Sequence, residues 1–258
     1  MAEPEITQVQ SVTRLMQLLE ELSARNGAGV TELGEATDLA KSTVHRYLAT
    51  LYDLNYVVKD DGKYYLSVRF ADIGESSRNR RTAYGMAAHK VEELATETNE
   101  RCQFVVEEHG RGVYVYVATG NKAVLTGSHV GKRLYLHATS VGKSILAHLP
   151  QSRVDEILDR WGLPRRTEQT ITDREVLLAE LERIREEGVA FNREGNVEGL
   201  RSVGAPVFDG NGEVIGGLSV SGPTHRLKGS WYEREIPDLL LGAANELELK
   251  IKYRDDQP

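Results

Sequence analysis

The sequence predicts two domains: a small, mainly α-helical head closed by a β hairpin over residues 1–68, and a larger α+β domain over 84–258, joined by a linker helix over 69–83. Three observations predict this. The chain has 258 residues, more than one compact domain of about 100–200 residues usually holds. Before residue 55, apolar residues recur at three- and four-residue steps in three short stretches, and two β-prone runs follow. Beyond residue 84, alternating runs broken by glycine-containing turns mingle with helical periods, the pattern of an antiparallel sheet with flanking helices.

In the head, Val9, Val12, Leu15, Met16, Leu19 and Leu22 mark one face of a helix over 9–22. Gly27 and Gly29 end it, and Thr31 caps a second helix over 31–38 that buries Leu33, Ala36 and Leu39. A third helix covers 42–54, with Val44, Tyr47, Leu48, Leu51 and Leu54 inward. The runs 56–59 and 63–67 are joined by Asp60, Asp61 and Gly62, a hairpin-turn composition. Helix, helix, turn, helix and hairpin is the order of a winged helix-turn-helix.

The stretch 69–81 loses strong apolar periodicity and ends in Arg78, Asn79, Arg80 and Arg81. Helices are expected at 84–97, 140–149, 152–161, 173–187 and 231–253. Strands are expected at 103–108, 113–118, 123–128, 189–192, 201–208 and 213–221.

Composition removes several classes. No run approaches the ~18 apolar residues of a membrane span, and Glu3 and Glu5 stand where a signal peptide is basic and then apolar; a soluble, cytoplasmic protein is expected. A single cysteine, Cys102, forms neither an internal disulfide nor a multi-thiolate zinc cage, and reads as a small buried residue. The net charge of −7 argues against coating nucleic acid by bulk charge, while a local basic patch is still able to bind a duplex.

Catalytic patterns are incomplete. Gly142, Lys143 and Ser144 imitate the end of a phosphate-binding loop, but His137 stands where that loop needs glycine. Gly217 and Ser219 approach a nucleophile elbow whose second glycine is Ser221. His109, His129 and His137 lack metal-ligand spacing, and His137 is expected to be packed and hydrogen-bonded. Asp209, Gly210, Asn211 and Gly212 fit a hairpin turn better than a calcium loop. No enzyme, cofactor or metal is expected. The competing class is a metabolite-binding enzyme or redox protein with an accessory winged helix.

Between Leu39 and Tyr52 the charged side chains are Lys41 and Arg46, with no acid until Asp53. Ser42, Thr43, His45 and Arg46 cluster where a recognition helix enters a major groove. Hydroxyls suit phosphates, and arginine pairs with guanine; helix capping uses some of the same residue types. Thr31 and Lys63 complete the expected DNA-facing set.

In the second domain, Ser219 and Ser221 alternate with Leu218 and Val220, and Ser202 and Gly204 alternate with Val203, Ala205 and Val207. The small residues either line a cavity for a polar metabolite or admit a covering helix. Thr139, Ser140, Val141, Gly142 and Lys143 open a helix whose free N–H groups favour an anion; an ordinary cap beside a solvated Lys143 is the alternative.

The segments SVTRLMQLLEEL, VTELGEATDLAKSTVHRYLATLYDLNYV and GKYYLS resemble the winged helix of the IclR family of transcription regulators. VGKRLYLHATSVGKSILAHLP, TITDREVLLAELERIREEGVAFNREGNVEGLRSVGAPVFD and GGLSVSGPTHR resemble that family's effector-binding domain. The resemblance covers nearly the whole chain. It implies a GAF-like α+β effector and oligomerisation domain whose ligand contacts fall on Thr126, Leu134, Ser140, Val141, Asn192, Leu200, Ser202, Ser219 and Ser221. It implies a homodimer, or a dimer of dimers, reading a pseudo-palindromic double-stranded operator under control of a small-molecule effector. Asp38 and Ala40 stand where the family often has Gly and Pro, and Asn192 where it often has an acid. One negative charge fewer favours a carboxylate or sugar acid.

Overall fold

The structure, a computed structural model, describes residues 8–124 and 127–255. Two compact units divide between Arg78 and Asn79.

In the first unit, α1 (Gln10–Arg25) ends at Asn26, whose left-handed backbone turns the chain, and α2 (Val30–Thr37) and α3 (Lys41–Asp53) follow. β1 (Val57–Asp60) and β2 (Lys63–Leu66) pair antiparallel, and α4 (Arg69–Arg78) completes the unit. Leu18, Leu22, Leu33, Val44, Leu48, Leu51, Val57 and Tyr64 form its core. Two expectations are corrected. Thr31 does not cap α2: Gly29 does, because the Glu32 carboxylate accepts the Gly29 N–H at 2.7 Å and places Thr31 inside the first turn. The apolar stripe of Val9 and α1 is wider than the head's core uses, and the expectation that all of it faces inward is the second correction. Leu15, Leu18 and Leu22 turn inward, while Val9, Val12 and Met16 stay 63%, 57% and 50% exposed.

The second unit is built on an antiparallel sheet of β3 (Arg101–Glu108), β4 (Arg111–Thr119), β5 (Arg133–Leu134), β6 (Ala190–Arg193), β7 (Leu200–Phe208) and β8 (Val214–Pro223), in the order β5-β4-β3-β8-β7-β6. Its helices are α5 (Thr82–Thr98), α6 (Ser140–His148), α7 (Gln151–Trp161), α8 (Arg174–Glu187) and α9 (Ile236–Asp255). α5 and α9 cover one face through Val91, Leu94, Leu240 and Leu247, which pack on Cys102, Phe104, Val203, Leu218 and Val220. α6 lies on the other face, where Val141 and Ile145 join Val105 and Tyr114, and α8 packs on α6.

The expected strand over 123–128 is corrected: its described residues are irregular, and the edge strand is Arg133–Leu134. That strand is anchored because Leu134 lies over Gly112, where a Cβ would come within 2.5 Å of the Leu134 side chain. Asp209 accepts from the N–H groups of Asn211 and Glu213 and closes the hairpin turn between β7 and β8. His137 is buried with Nε2 3.2 Å from the Pro164 carbonyl, and burial pushes the Cys102 thiol up to about 12.

Candidate functional site

In the head, α3 opens after Ala40, whose carbonyl accepts the Thr43 N–H at 2.8 Å and the Val44 N–H at 3.1 Å. Asp38 takes the left-handed conformation (φ 53°) that a short polar side chain tolerates, so the turn forms without the expected glycine. Val44, Leu48 and Leu51 face the core. The opposite side presents Lys41, Ser42, His45 and Arg46, all exposed, with Thr43 half-buried beside them. Positions 41, 42, 45 and 46 repeat at helical spacing, so these side chains share one face, and it carries no acid. Thr31 is exposed in the first turn of α2. Lys63, also exposed, acts on the Glu32 carboxylate, which it and the Gly29 N–H hold below its ordinary range, the N–H more strongly.

In the second unit, the start of α6 meets the sheet. Thr139 caps the helix by accepting the Gly142 N–H at 3.0 Å, and its carbonyl accepts the Lys143 N–H, so Ser140 and Val141 hold the N–H groups outside the cap. Gly204 of β7 lies directly beneath: a Cβ there would stand 2.5 Å from the Val141 nitrogen. Only glycine allows that approach. Ser140 Oγ donates to Ser202 Oγ at 2.7 Å, fixing the helix start over the strand. Lys143 is not solvated; it is buried and pairs with Glu180 at 2.7 Å.

A cavity opens beside this junction. Its walls include Ser140, Val141, Asn192, Leu200, Ser202, Ser219 and Ser221, seven of the nine expected effector contacts. Thr126 lies outside the described residues. Leu134 is not in the wall, because it is committed to the apolar cluster over Gly112. Asn192 Oδ1 accepts the Gly195 N–H at 3.2 Å and so shapes the loop that brings Asn196 and Val197 to the rim. Thr170 Oγ1 donates to the Gly195 carbonyl and Thr167 Oγ1 to the Glu194 carbonyl, holding that loop from behind.

Sequence reasoning missed Arg101, Gln103, Tyr114 and Ser128 in the wall. Arg101 and Gln103 alternate with the apolar Cys102 and Phe104, a period-two signal present in the sequence. Both are buried: the Arg101 guanidinium sits 5.3 Å from the Tyr114 ring centre, and Gln103 Nε2 donates to Ser219 Oγ at 2.6 Å. The described residues hold no cluster of acids, histidines and cysteine able to bind a metal ion, and no helix among them is long and apolar enough to cross a membrane.

Residues 11–61 match the model of the IclR helix-turn-helix domain, and residues 56–249 match that of the bacterial transcriptional regulator IclR C-terminal domain. The probable HTH-type transcriptional regulator ArcR of Halobacterium salinarum is 31% identical over 248 residues, 95% of this chain and 94% of that protein. The crystal structure of Thermotoga maritima IclR superposes with a TM-score of 0.81 at 28% identity, covering 95% of this chain and all of the other. The inducer-binding domain of an Acinetobacter PobR double mutant, solved as a complex with 3-hydroxybenzoic acid, matches at 28% identity over 64% of this chain and 96% of its own, with a TM-score of 0.59.

Proposed function

The chain belongs to the IclR family of DNA-binding transcription regulators, and from that premise we propose that it is a cytoplasmic homodimer, or dimer of dimers, whose grip on a pseudo-palindromic operator is set by a small organic acid bound in its second domain. The observation that carries the effector reading is the convergence of Ser140, Ser202, Ser219 and Ser221 on one cavity at the start of α6. The Ser140 and Val141 N–H groups attract a carboxylate, and Val141 and Leu200 offer apolar surface to its carbon chain. Ser202, Ser219, Ser221 and Asn192 supply polar partners for hydroxyl or carbonyl groups. The carboxylate in the related PobR domain supports this assignment.

DNA reading is assigned to Lys41, Ser42, Thr43, His45 and Arg46, with Thr31 and Lys63 on the phosphates. The exposed stripe of Val9, Val12 and Met16 supports pairing of α1 with its counterpart in a second copy. Two heads then read two half-sites related by the dimer's symmetry.

The test selects an operator from a random duplex library and titrates it with the full chain while carboxylates and neutral metabolites are added. An organic acid is expected to shift operator affinity and, at 100 times its Kd, to stabilise the protein by about 2.7 kcal/mol. Ser219→Leu with Ser221→Leu fills the cavity and is expected to abolish that shift. Regulation by neutral metabolites alone, or an unchanged midpoint in the double variant, overturns the assignment. Light scattering at micromolar concentration tests the oligomer, and a monomer with and without DNA contradicts it.

A further inference from the structure

Arg101, Ser221 and Ser202 face one another in a row that crosses β3, β8 and β7 of the second unit. The β7 end of the row lies under the start of α6, where Ser140 Oγ donates to Ser202 Oγ and Val141 stands on Gly204. The β3 end carries the arginine. One strand, β8, separates the two ends, so the backbones of Arg101 and Ser202 are roughly 10 Å apart. Ser221, half-buried, stands between them in the cavity wall.

Two lining residues hold the Arg101 guanidinium. It lies 5.3 Å from the Tyr114 ring centre, and its Nη2 donates to the Ser128 carbonyl at 3.3 Å; Tyr114 and Ser128 both line the cavity. Arg201, the other arginine of the lining, turns its guanidinium to the opposite face of the sheet, where Nη1 donates to the Leu227 carbonyl and the Tyr232 ring centre is 5.4 Å away. Glu100 also lies on that face, beside Gly222 and Leu227, and pairs with Arg226. Among the described residues the cavity lining includes no aspartate or glutamate. The cavity is therefore positive at two places, with about half a charge at the start of α6 and a full charge at Arg101. Both are screened less by water than surface charges are, so each acts more strongly on an anion.

We propose that the effector is a dicarboxylate and that Arg101 is the specificity-determining residue, gripping the second carboxylate. The proposal rests on the carboxylate reading above, which sets the first carboxylate on the Ser140 and Val141 N–H groups. A chain of about four to six carbons carries its two carboxylates far enough apart to meet both ends at hydrogen-bond distance. The planar fork of an arginine matches a carboxylate through two parallel N–H···O bonds, which a point charge or a hydroxyl does not reproduce. Ser219 and Ser221, between the two ends, suit polar substituents along the chain. A monocarboxylate of the same length brings no second charge to the guanidinium and forfeits that interaction.

The test measures binding heats for the full-length protein with succinate, glutarate and adipate, and with the half-amide of each, which keeps the length and loses one charge. The best-fitting diacid is expected to bind at least about tenfold tighter than its half-amide. Arg101→Met keeps an unbranched side chain and removes the charge, and is expected to erase that preference by weakening the diacids alone. Arg101→Lys, which keeps the charge and loses the fork, is expected to restore part of it. Arg101→Gln, neutral but still a donor, carries the test if the Met variant fails to fold by circular dichroism. Half-amides that bind the unaltered protein as tightly as the diacids, or a preference that survives loss of the charge, overturn the role of Arg101 and leave the carboxylate reading standing. Failure of both series to bind overturns both.

Discussion

Ser140 Oγ donates a 2.7 Å hydrogen bond to Ser202 Oγ, joining the first residue of α6 to the sheet at the edge of the cavity. Both residues are buried, so this contact holds the helix end and the serine row in one arrangement. Its two members are expected to couple by about 0.5–1.5 kcal/mol in a double-mutant cycle of Ser140→Ala and Ser202→Ala. Urea midpoints of the four proteins give the number, and strict additivity would show that the bond contributes nothing.

Gly204→Ala places a Cβ 2.5 Å from the Val141 nitrogen. Backbone opposes backbone there, so α6 must lift from β7. We expect a loss of about 1–3 kcal/mol in stability, the range for overpacked cores, together with a weaker effector response. A variant that melts with the parent protein and responds at the same midpoint would mean that the junction adjusts freely.

Arg46→Ala is expected to weaken operator binding by about 1–3 kcal/mol and to relax preference at one base pair. Lys41→Ala is expected to weaken all duplexes alike and to lower the salt slope by about one. Titrations of the selected operator and of unrelated DNA at several salt concentrations separate the two roles; an unchanged Arg46→Ala affinity removes that side chain from the interface.

Burial lowers the Lys143 ammonium below its ordinary value, and Glu180 at 2.7 Å opposes that fall. The unfolded chain therefore binds the proton more tightly than the native one between the lowered value and the ordinary one, so stability rises with pH through that window. Glu180→Gln removes the opposing charge and lowers Lys143 further. The variant should lose roughly 3 kcal/mol near neutral pH and regain part of it towards about pH 10, as the uncompensated lysine gives up its proton. Denaturant midpoints at the two pH values check this, and a loss that is the same at both would contradict it.

Local patterns settled much of the fold. Three helical periods and the Asp60–Asp61–Gly62 turn specify the head, since each is dictated by residues within one turn of helix or one hairpin. The alternation of Ser202, Ser219 and Ser221 with core residues likewise marked one face of the sheet before any pairing was known. Tertiary structure decided what those faces meet. The width of the apolar stripe on the first helix, from Val9, Val12, Met16 and Leu19, is legible in the sequence as more than a lone head needs, but only packing decides that Leu18 and Leu22 turn inward while Val9, Val12 and Met16 stay outside. Leu134 left the cavity wall because Gly112 offered it a closer partner on the neighbouring strand. Gln103 entered the wall because β3 pairs with β8 in the register that sets it opposite Ser219, 116 residues away in the chain. Strand register across such distances is chosen by the whole sheet's packing, so the place of Gln103 in the wall is a product of the folded domain, while the serines around it were already legible in the sequence.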